Sequence, residues 1–91
     1  MRLVEGFALR KVLDEWIAVP GGESAARFTG LFSMNETGAF LFSLLQEEQS
    51  EASLLQALLE NYDTDEEAAR GDMLSFLHYL RTHNLLADDA T

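Results

Sequence analysis

The groups that could do chemistry in this 91-residue chain are two histidines, sixteen carboxylates and a few hydroxyls, and there is no cysteine. His78 and His83 are five positions apart. On one helix that spacing is an angular offset of roughly 140°, so the two imidazoles cannot meet at one metal from one face. Asp63, Asp65 and Glu67 imitate the start of a calcium loop, but the position that needs glycine holds Ala68 and the position that needs a bidentate glutamate holds Leu74. Glu47, Glu48, Glu51, Asp88 and Asp89 have no companion base nearby in sequence, and solubility explains them better than acid–base catalysis. No serine stands in a His–Asp context and no glycine-rich phosphate loop occurs. Without cysteine there is also no thiolate zinc site, no disulfide and no cysteine nucleophile. The residues point to a binding module that needs no cofactor and catalyses nothing.

Size and charge agree. The chain reads as a single domain over 1–91, since 10.2 kDa with 47% hydrophobic residues sustains one core and little more. The formal charge is −10, with only Arg2, Arg10, Lys11, Arg27, Arg70 and Arg81 as cations, so a nucleic-acid backbone or an anionic membrane surface is repelled on average. No apolar run reaches the ~20 residues of a membrane span. Residues 1–10 alternate polar and apolar positions instead of forming a signal-peptide core, so the expected compartment is the cytoplasm.

The elements that must position a binding surface can be read in order. Phe7–Val12 and Glu15–Val19 are rich in aromatic and β-branched residues and predict a hairpin, which Pro20-Gly21-Gly22 ends before a loop through Ala26. Phe28 to Met34 predicts a third strand, with Gly30 permitting a bulge. Three helices then follow. Asn35 caps the first, Ser50 caps the second, and Thr64 with Glu67 forms a capping-box pattern for the third. In that third helix Ala69, Met73, Phe76 and Leu80 share one face, and Arg70, Leu74, Leu77 and Arg81 run alongside as a second, amphipathic stripe. Asn84 serves as C-cap, Leu85-Leu86 pack back as a short extended tail, and the chain frays from Ala87. Trp16 and Phe40 are expected to anchor the core.

Taken together, Phe7-Ala8-Leu9-Arg10, Trp16-Ile17-Ala18-Val19-Pro20 and above all Leu31-Phe32-Ser33-Met34-Asn35-Glu36-Thr37-Gly38-Ala39-Phe40 resemble the PqqD-like family, the peptide-recognition domains of ribosomally made, post-translationally modified peptide pathways. Tyr62-Asp63, Asp72-Met73, Phe76-Leu77 and Leu85-Leu86 continue the likeness over about positions 5 to 87. Two departures stand out: Leu13-Asp14-Glu15 lacks a turn glycine, and Gly71 sits inside the third helix. The resemblance implies an α+β, winged helix-turn-helix-like fold, a three-stranded antiparallel sheet followed by three helices. It also implies that the leader of a precursor peptide adds as a strand beside Phe28, Thr29, Gly30, Leu31, Phe32, Ser33 and Met34, in a groove walled by Arg70, Leu74, Leu77 and Arg81. The implied partner is a modifying enzyme, often a radical S-adenosylmethionine protein. Two alternatives stay open on the residues alone. A winged-helix DNA-binding regulator fits the outline but not the charge, and a structural module could form a homodimer through the same strand edge.

Overall fold

The computed structural model describes residues 1–22, 25, 26, 28 and 30–87. Three strands, Phe7–Val12 (β1), Glu15–Pro20 (β2) and Phe32–Met34 (β3), precede three helices, Glu36–Leu44 (α1), Glu51–Asn61 (α2) and Glu66–Thr82 (α3). This is the expected three-stranded antiparallel sheet followed by three helices, with the strands in the order β1-β2-β3. Most of the loop from Glu23 and the tail beyond Ala87 lie outside the described residues. Among the described residues no helix is long and apolar enough to cross a membrane.

Pairing runs from Phe7↔Pro20 to Val12↔Glu15 and leaves Leu13-Asp14 as a two-residue turn. Without a glycine there, Leu13 itself adopts the left-handed conformation, at φ 58°. The inner sheet face carries Phe7 and Leu9 from β1, Ala18 from β2, and Phe32 and Met34 from β3; of these Ala18 is fully buried. Trp16 lies at the hairpin end of that face, partly exposed and outside the core, with Lys11 Nζ 5.7 Å from its ring centroid. In place of the expected core role, Trp16 makes a cation–π contact with Lys11, its cross-strand neighbour on the same face.

The third strand is shorter than its sequence suggests. Extending the β2–β3 register past Ala18↔Phe32 would place Gly30 opposite Pro20. Pro20 has no N–H to donate and Gly30 turns left-handed at φ 85°, so the ladder stops there. Phe28 instead turns inward, its ring 5.3 Å from Phe7 and 6.2 Å from Phe32.

Each helix start follows from its cap. Asn35 Oδ1 accepts from Gly38 N at 2.8 Å, and Ser50 and Ser53 bond each other's backbone amides reciprocally. For α3 the cap is Asp65, accepting from Ala68 N at 2.8 Å, and not Thr64 as the Thr64/Glu67 pattern suggests. The acidic side chain wins because it also complements the positive end of the helix dipole. At the other end Asn84 stands one residue beyond the cap His83, left-handed at φ 59°, while Leu85 N bonds Leu80 O and Asn84 N bonds Arg81 O. That turn drives Leu85 and Leu86 back into the core, where Leu86 bridges to Leu3.

Gly71 is exposed inside α3, and open space surrounds the position its Cβ would take. Gly71→Ala should therefore raise the unfolding free energy by about 0.5–1 kcal/mol, measurable as a shift in the thermal midpoint. An unchanged midpoint would mean that helix propensity does not limit α3.

Candidate functional site

The site starts from hydrogen-bond parity. A two-residue hairpin closes on a pair that exchanges both main-chain bonds, so Val12↔Glu15 is bonded and every second pair after it is bonded too. Ile17 therefore directs its amide and carbonyl to β1, while Trp16 and Ala18 direct theirs to β3. Ser33, opposite Ile17, falls between the two bonded pairs of β3. Its N–H and C=O consequently face away from the sheet, along an edge that no other strand covers among the described residues, in the order β1-β2-β3. Beyond it, the Asn35 carbonyl is already engaged by Ala39 N at 2.9 Å. The outward edge of β3 thus centres on Ser33, with exposed Leu31 next to it.

Beside this edge an open groove of about 290 Å³ runs between β3, the first turn of α1 and the middle of α3. Its walls include Met34, Gly38 and Leu41 on one side and Asp72, Ser75, Phe76 and Tyr79 on the other. Gly38 shapes the floor: a Cβ there would stand 3.0 Å from Phe76 Cε1 and 3.2 Å from Met34 Cβ. Phe76 and Tyr79 stack with ring centroids 6.1 Å apart, and His83 continues the aromatic row 4.7 Å from Tyr79 and 5.3 Å from Phe32. The Tyr79 hydroxyl donates to the Ser33 carbonyl at 3.4 Å, touching the open edge. Burial pushes the Tyr79 phenol above its ordinary range, so at neutral pH it remains a hydrogen-bond donor.

The structure sorts the residues singled out in the sequence. Phe32, Ser33 and Met34 form β3, Leu31 precedes it with 61% exposure, Gly30 is an exposed turn residue, Phe28 packs among aromatic rings, and Thr29 lies outside the described residues. On α3 the residues expected in a groove wall and those that line this groove lie on different sides of the helix. Leu77 is a core residue with 0% exposure and is not part of this groove's lining. Arg70 is exposed and 3.8 Å from Glu66, Leu74 is 43% exposed, Arg81 is exposed, and none of the three lines the groove. Phe76, Tyr79, Ser75, Asp72 and Gly38 line it instead. A signal for them was present in the run of small residues Thr37-Gly38-Ala39 at a helix start, and in the aromatic spacing of Phe76, Tyr79 and His83.

The family model for coenzyme PQQ synthesis protein D (PqqD) matches residues 20–86 of this chain. Among solved structures, the chain is similar to one described as TbiB1 in complex with the TbiA(beta) leader peptide, with a TM-score of 0.72 and 21% identity over the whole of both chains. No curated protein matches.

Proposed function

The chain belongs to the PqqD family, and from that premise we propose that it is a non-catalytic adaptor that binds the leader of a ribosomally made precursor peptide by strand addition and presents it to a modifying enzyme. The observation that carries this reading is the outward-facing Ser33 edge set beside an open groove. An extended peptide gains main-chain bonds from such an edge and specificity from the pockets under its alternate side chains. TbiB1, similar in fold throughout, is the partner of a leader peptide in its solved complex, which supports the same use here.

Strand geometry gives the expected ligand pattern. If the peptide adds antiparallel to β3, the residue opposite Ser33 exchanges both bonds with it and turns its side chain to solvent. Its two neighbours turn inward, one onto Met34, Gly38 and Phe76, the other toward Phe32, Tyr79 and His83. The ligand is then an extended segment with apolar or aromatic side chains two residues apart. The proposed site residues are Leu31, Phe32, Ser33 and Met34 on the edge and Gly38, Asp72, Ser75, Phe76 and Tyr79 in the groove. The modifying enzyme acts on the remainder of the precursor, and a radical S-adenosylmethionine enzyme is the class the family suggests.

The test is a titration of the 15N-labelled protein with a synthetic leader of a candidate precursor peptide. The largest amide shifts are expected at Leu31 to Asn35 and at Asp72, Ser75, Phe76 and Tyr79. Shifts confined to α2, or no shift at millimolar peptide, would rule the reading out.

A further inference from the structure

Resting on the strand-addition reading, the geometry points to Tyr79 as an exchange donor: its hydroxyl holds the Ser33 carbonyl in the free protein and yields that carbonyl to a peptide N–H on binding. Ser33 carries the outward carbonyl of β3, and an added strand must place an amide donor on it. In the free protein that acceptor is met by Tyr79, which reaches across from α3 at 3.4 Å. The Tyr79 ring is held independently of this bond, stacked on Phe76 at 6.1 Å and edge-on to His83 at 4.7 Å. The hydroxyl is therefore poised at the edge and can turn to water once displaced.

Two consequences follow. Binding exchanges one hydrogen bond for another at this carbonyl, so affinity comes mainly from the Ser33 N–H and the groove. The exchange also softens register selection, because a peptide offering proline or an N-alkylated residue opposite Ser33 leaves the phenol in place and the carbonyl satisfied, so the penalty for lacking an N–H is smaller than it would be without Tyr79. Tyr79 then sets how strictly the peptide must offer an N–H opposite Ser33, while its ring lines the groove for an inward ligand side chain.

The experiment is a double-mutant cycle by isothermal titration, using wild-type protein and Tyr79→Phe against the same leader peptide and against a copy N-methylated at the residue opposite Ser33. Phenylalanine keeps the ring contacts and removes only the donor. Tyr79→Phe should bind the unmodified leader about two- to threefold more tightly, the low end for one hydrogen bond because 3.4 Å is long for an O–H···O contact. Toward the N-methylated leader its affinity should equal that of wild type. Weaker or unchanged binding of the unmodified leader by Tyr79→Phe would overturn the inference, as would an equal gain toward both peptides. Failure of wild-type protein to bind the leader at all would instead remove the strand-addition reading beneath it.

Discussion

Leu77→Ala is expected to cost about 2–5 kcal/mol of folding stability while leaving the peptide surface of the folded fraction intact. Leu77 has no exposed surface and sits in the core among Leu41, Phe42, Met73 and Leu80, so the truncation removes buried methyl groups and leaves a cavity that packed helices close only in part. A domain of this size has a total stability of about 5–15 kcal/mol, and each kcal/mol moves its thermal midpoint by roughly 4–8 °C. A fall in midpoint of ten degrees or more is therefore the expected readout in circular dichroism. Leu74→Ala, three residues earlier and 43% exposed, supplies the contrast: its cost should stay near 0.5 kcal/mol. If Leu77→Ala kept wild-type stability and lost leader binding, Leu77 would belong to the groove and the α3 assignment would be wrong.

That contrast locates where sequence reading loses resolution. The element order, the caps at Asn35 and Ser50 and the return of Leu85-Leu86 are local facts, written in residue types that act on their own backbone. The rotation of α3 is not local. Ala69, Met73, Leu80 and either Phe76 or Leu77 satisfy the same helical period, because adjacent positions differ by 100° and an apolar stripe is about that wide. The choice depends on what lies opposite. Gly38 leaves a hollow in which a Cβ would stand 3.0 Å from the Phe76 ring, and Phe76 turns to the groove while Leu77 fills the core. The glycine was readable as a residue, but its partner two helices later was not.

The same holds for the strand edge. Phe28 to Met34 has one continuous apolar character in sequence, yet only Phe32–Met34 pairs. What shortens it is the meeting of Pro20 and Gly30 in a register fixed by the length of the first turn. Once that register is known, the functional atoms follow without further measurement: Ser33 faces outward because Val12↔Glu15 closes a two-residue hairpin. Side-chain face and main-chain direction are coupled along a strand, so the packing of Phe32 and Met34 on the inner face itself requires Ser33, between them, to turn its amide and carbonyl outward.

Ser33→Pro puts that argument at risk directly. The Ser33 N–H plays no part in the ladder with β2, so proline removes no internal hydrogen bond, and an edge strand is where proline is tolerated. Phe32 before it is already extended, as the residue preceding proline must be. The fold should survive, with α3 and β2 amide shifts close to wild type. Binding should not. The donor that an added strand needs is gone and the ring Cδ stands in the path of the incoming carbonyl, so leader affinity should fall by more than tenfold, at about 1.4 kcal/mol per factor of ten. Ser33→Ala is the matched control, since its side chain points to solvent on the outer face and its backbone is unchanged; its affinity should stay within about twofold of wild type. A proline variant that folds and still binds as well as wild type would place the ligand on some other surface. An alanine variant that loses as much as proline would assign the contact to the hydroxyl, and the main-chain mode of recognition would have to be abandoned.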